Sequence, residues 1–171
     1  MITKFEAGGL IQDDKFLAEG LSLSAPSAFT VPKYVDSRPY CLPSSNQGAF
    51  PHCSGYATAG YIEVMKWKQF HIAEQVDGDA IYAEAKKLDG SPSTDGTSLN
   101  AAVEGAQKLG LISSDLKLKT ISSRRDMKFA LHKYGVCIGG ANITKGWNST
   151  STKNGYIGAE EPFIGGHATL L

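Results

Sequence analysis

The sequence predicts an α+β protein in which helices come first and strands second, arranged as two segregated lobes. Three observations predict it. From Cys53 to Leu109, apolar residues recur near helical spacing, interrupted by one Pro-containing loop. From Gly135 onward the chain changes to short apolar runs rich in glycine and of strand length. The composition is that of a globular chain: 171 residues, 42% hydrophobic and 20% charged, enough for a real core.

Residues 1–34 mix Leu17, Leu21 and Leu23 with Gly, Ser and Ala, and Ser24-Ala25-Pro26 is a break. They are expected to form an N-terminal extension lying on a body built later. Residues 35–50 are rich in Pro, Ser, Asn and Gly, and Pro39, Pro43 and Pro51 forbid a long helix. Past Pro51 no proline intervenes, and Tyr56, Ala59, Ile62, Val64, Met65 and Trp67 mark a helix of about four turns starting near Cys53. Gly55 and Gly60 weaken it locally but allow close packing. Asp79–Leu88 is a second helix, closed by Asp89-Gly90, and Ser91–Gly96 is a loop. Ser98–Leu109 is a third, with Thr97 or Ser98 as cap and Gly110 as stop. Asp126–Tyr134 is a short fourth. Gly135–Ile143 reads as a buried strand and His167–Leu171 as the last one. The expected division is residues 1–34 as extension, 35–115 as helical lobe and 116–171 as β-rich lobe.

Lys plus Arg and Asp plus Glu both number 17, so no basic surplus argues for nucleic acid and no acidic tail for a disordered arm. Lys117, Lys119, Arg124, Arg125 and Lys128 cluster in sequence, as expected of a solvated face. No apolar run approaches the roughly 20 residues that span a bilayer. The opening residues break up too quickly for a signal-peptide core. A cytoplasmic location, or assembly into a larger particle, is expected. The triplets Asn142-Ile143-Thr144 and Asn148-Ser149-Thr150 carry little weight without a leader. Three cysteines do not suggest a disulfide scaffold, and no Cys/His spacing suggests a metal; no cofactor is expected.

Cys53 sits at the predicted start of a helix. The positive end of the helix dipole and unpaired backbone N–H groups there favour thiolate, the nucleophilic form. Six residues earlier, Gln47 lies in Asn46-Gln47-Gly48. Its amide and the Cys53 N–H are candidate donors to an oxyanion, a kind of contact worth roughly 3–4 kcal/mol of barrier lowering. The base must be a histidine. His52 adjoins Cys53, so its side chain is not expected to face the same way; His71 and His132 lie on or near helices as surface residues. His167, in Gly165-Gly166-His167-Ala168, stands at the mouth of an apolar strand, where pairing with a thiolate would explain it. Cys41 and Cys137 are expected to be structural.

These residues resemble the papain family of cysteine peptidases. The likeness is densest over Val31–Arg38, Asn46-Gln47-Gly48, Cys53 and Gly60–Glu63, and Gly165–Ala168 resembles the family's catalytic histidine segment. Asp95-Gly96-Thr97-Ser98 before a helix resembles its glycine-bearing substrate wall. The resemblance implies a two-lobed papain-like fold with a cleft between the lobes. It implies Cys53, His167 and Gln47 as catalytic residues. Asp95, Gly96, Thr97 and Gly166 then bind substrate, with Gly96 offering backbone hydrogen bonds to an extended peptide. Peptide or protein would be the substrate, with neither nucleic acid nor membrane as partner.

Three departures stand beside it. The usual cysteine before the nucleophile is missing, and Ser54 replaces the Trp after it. The family's orienting Asn follows its histidine, whereas Asn142, Asn148 and Asn154 all precede His167. A further segment or a second chain is therefore expected to complete an incomplete β lobe. Two alternatives accompany the peptidase reading. One is a papain-fold structural or binding module with weak or lost activity in a larger assembly. The other is a cell-wall type of cysteine endopeptidase, suggested by Cys53-Ser54-Gly55-Tyr56.

Overall fold

A computed structural model describes residues 21–149 and 162–171. Its order is β1 (Leu21–Ser22), a 3-10 turn (Arg38–Tyr40), α1 (Cys53–Phe70), α2 (Gly78–Leu88) and α3 (Leu99–Lys108). β2 (Lys119–Thr120), α4 (Arg124–Tyr134), β3 (Ile138–Thr144), a second 3-10 turn (Lys145–Ser149) and β4 (Phe163–Leu170) follow.

Three of the four described α-helices begin where a side chain supplies a cap, whereas His52 at the head of α1 makes no capping bond. The Asp77 carboxylate accepts from the N–H groups of Asp79 and Ala80, so α2 starts just before the predicted Asp79. Ser98 Oγ accepts from Ala101 N–H at the head of α3. Ser123 Oγ accepts from Asp126 N–H, which starts α4 at Arg124 instead of the predicted Asp126. Helix α1 has 18 residues, about a turn longer than expected, and ends at His71 in the left-handed conformation (φ 57°).

The helical core is built from small residues. Ile62, Val76, Ile81, Ala85, Ala101, Ala102 and Ala106 are buried together, with Ala59 among them. Small side chains let the helices approach closely. A Cβ placed on Gly55 would stand 2.3 Å from the Gly78 carbonyl oxygen, so α1 and α2 meet backbone to backbone. The antiparallel pair β3–β4 packs against α1, with Ala168 buried beside Cys53 and Ala57 and with Leu99 and Ile138 around them. Helix α1 is thus enclosed by α2 and α3 and by the sheet.

Two sequence expectations shift here. Strand β4 starts at Phe163, not His167, so the histidine lies inside the strand. Strand β3 starts at Ile138, because Gly135 caps α4 in a left-handed conformation (φ 90°). Cys137 exchanges both backbone hydrogen bonds with Leu171, continuing the β3–β4 pairing by one step.

The described part of the N-terminal segment contacts β2 and α4. β1 pairs in parallel with β2. Arg125 of α4 then donates to the carbonyls of Ala25, Pro26, Ser27 and Phe29, and Asp126 accepts from Ala25 N–H. The Phe29 ring packs edge-on against Phe129. Residues 1–20 and Asn154 fall outside the described residues.

Candidate active site

Helix α1 presents its first residue, Cys53, to the middle of β4. The Ala168 N–H donates to Cys53 Sγ at 3.3 Å. Cys53 as a whole residue is 1% exposed. Burial pushes the thiol up from its ordinary value, while the Ala168, Ser54 and Cys53 N–H groups pull against it. The donors expected to favour thiolate are therefore present, but desolvation outweighs them in the free protein.

His167 adjoins Ala168 and is half-buried, and burial pushes its imidazole down. Cys53 and His167 are thus each held towards their neutral forms. Trp147, in the turn after β3, sets its ring edge-on to the imidazole at 6.3 Å between centroids. Across the sheet His167 faces Ala141, whereas Asn142 faces Gly166. Side chains alternate along a strand, so Asn142 projects from the opposite face to His167 and does not orient its ring.

Gln47 is placed by its own loop. Gly48 takes a left-handed conformation (φ 66°), and Gln47 Nε2 donates to the Phe50 carbonyl at 2.8 Å. A primary amide has two donor hydrogens, so one bond leaves one available.

His52 turns away from the sulfur towards α2. Its Nδ1 meets Asp79 Oδ1 at 2.7 Å, and its ring stacks on Tyr82 at 3.9 Å between centroids. Tyr56 Oη donates to the other Asp79 oxygen. Phe50, largely exposed, also stacks on His52.

The predicted substrate wall leads into α3. Asp95 is exposed, while Gly96 and Thr97 are buried. Gly96 has φ 79°, a conformation that side chains disfavour. Its N–H donates to Tyr82 Oη at 3.1 Å. Its carbonyl accepts from Lys86 Nζ at 2.9 Å. The backbone N–H expected to face substrate is thus engaged within the protein; the carbonyl keeps one lone pair. Gly166 lies in β4 beside His167, opposite Asn142.

Asp79, Tyr82 and Lys86 do not figure among the residues that sequence reasoning singled out. Their spacing, one helical face at i, i+3 and i+7, was the available sign. Of the other cysteines, Cys137 is buried and Cys41 exposed, and both are free. Among the described residues no group of three or more His, Cys, Asp or Glu could hold a metal. No helix among them is long and apolar enough to cross a membrane.

The arrangement compares with the crystal structure of xylellain, a cysteine protease from Xylella fastidiosa. The match has a TM-score of 0.72 and covers 99% of this chain and 81% of that one, at 15% sequence identity. The likeness shows an α+β, papain-like fold. No family model matches the chain, and no curated protein does.

Proposed function

We propose that the protein is a papain-like cysteine endopeptidase in which Cys53 is the nucleophile and His167 its base. One observation carries this reading: the Ala168 N–H donates to Cys53 Sγ, so β4 delivers the residue next to His167 to the start of α1. The structural neighbour's description as a cysteine protease supports it.

Because burial favours a neutral thiol and a neutral imidazole, His167 acts as a general base during attack. It takes the thiol proton as sulfur adds to the peptide carbonyl. The Cys53 N–H and the free Gln47 amide hydrogen receive the oxyanion. His167 then protonates the leaving amine, and water hydrolyses the thioester. Asp95, Gly96, Thr97 and Gly166 line the cleft for an extended peptide.

The burial of Cys53 also favours a second reading, a binding module of this fold that has lost turnover. One comparison separates the two. A peptidyl chloromethyl ketone should label Cys53 much faster than Cys41 or Cys137, and Cys53→Ala should abolish peptide cleavage without lowering the melting temperature appreciably. Cleavage that survives Cys53→Ala would show that Cys53 is not the nucleophile. Absence of both labelling and cleavage would favour the binding module.

A further inference from the structure

Helix α2 holds the backbone at Gly96 from two consecutive turns. Lys86 is the central group, with a side chain only 12% exposed. An ammonium has three donor hydrogens, and the structure gives it three acceptors. They are Asp89 Oδ2 at 2.7 Å, the Ser91 carbonyl at 2.6 Å and the Gly96 carbonyl at 2.9 Å. Its partner Asp89 also accepts from the Ser91 N–H. Lys86 therefore closes the loop of residues 89–96 at both ends. One turn earlier, Tyr82 Oη accepts from the Gly96 N–H, and its ring supports His52, the residue before the nucleophile.

We infer that Lys86 is a positioning residue for peptide binding: through the Gly96 carbonyl it fixes the height of the wall at residues 95–97 relative to Cys53. The inference rests on the peptidase reading above. The chemistry requires a group of this kind at this place. A φ of 79° is accessible to glycine but not enforced by it, so Gly96 alone leaves the wall free to relax. An extended substrate bound along a displaced wall presents its carbonyl to the sulfur in the wrong place. Small misplacements of that kind can cost up to about a hundredfold in rate. A lysine is well suited to gathering three separate oxygens, because its compact ammonium donates in three directions; a planar guanidinium prefers a paired geometry.

The role predicts a dependence on substrate length that a general structural role does not. Lys86→Met keeps the aliphatic stem and removes the three donors. Its effect should be compared on a blocked peptide with three residues before the scissile bond and on an ester of a single amino acid. The short ester reaches Cys53 and the oxyanion donors but not the wall. For the long peptide kcat/KM should fall about tenfold, with kcat carrying much of the loss, and for the ester it should change less than about twofold. Lys86→Arg, which keeps a cation, should recover part of the loss. Equal loss on both substrates, or no loss on either, would overturn the inference while leaving the peptidase reading intact. If Lys86→Met does not fold, Lys86→Gln makes the same test, because its shorter side chain keeps polar donors but falls short of the Gly96 carbonyl, and unchanged length preference there counts equally against it. A wild-type protein that cleaves neither substrate would remove the peptidase reading and this inference together.

Discussion

Cys53 and His167 are each shifted in the direction that keeps them neutral, and this sets how the fold responds to pH. Burial raises the Cys53 and Cys137 thiols, so between the unfolded and folded values the native state binds more protons than the unfolded chain. The stability they contribute is present below about pH 8.5, the ordinary thiol value, and is lost as pH rises past it. Burial lowers His167, so the reverse holds on the acid side. There the unfolded chain takes up the proton first, and stability falls as pH drops below about 6.5. Melting temperature should therefore be highest between about pH 6.5 and 8.5 and decline on both sides. In Cys53→Ala the alkaline decline should become shallower, which a pH series of thermal melts reads directly.

The contact between α1 and α2 depends on the absence of two side chains. A methyl at Gly55 would overlap the Gly78 carbonyl and press on Tyr82. Gly55→Ala should therefore destabilise the protein by about 1–3 kcal/mol despite alanine's better helix propensity. It should also disturb the Tyr82 bond to Gly96, and chemical denaturation would measure the loss. This element shows what sequence could and could not reveal. Pro51 and the proline-free run after it placed the start of α1 at Cys53, and turn residues placed the helix ends within a few positions. The beginning of β4 was missed because Gly165 and Gly166 carry no apolar pattern, although their backbones pair fully with β3. In the candidate site, local context singled out Gln47, Cys53 and His167 as candidates, and the structure brings Ala168, next to His167, onto Cys53. The tethering of Gly96 by Tyr82 and Lys86 was not legible, since it joins side chains to backbone atoms across a loop. Nor was the balance on the Cys53 sulfur, because a dipole argument from sequence contains no measure of burial.

At the scale of the whole molecule, one guanidinium ties the first described segment to α4. Arg125 gathers carbonyls from Ala25, Pro26, Ser27 and Phe29, a hundred residues before it in the chain, next to only a two-residue strand pairing. The segment it holds has few buried side chains of its own. Its attachment is therefore concentrated in a few polar bonds instead of being spread through the core, and such segments open far more often than the molecule unfolds. A local opening of this kind is what an added digestive enzyme samples. Dilute trypsin or thermolysin should nick residues 21–34 of the intact protein slowly. Arg125→Ala should speed that first cut by about tenfold while leaving the fragment from Cys53 onward resistant, a pattern visible by mass spectrometry of the digest. Uniform degradation of the variant would mean that the same arginine also secures the core. Arg125 would then set the molecule's lifetime in a protease-rich medium more than any of its buried residues.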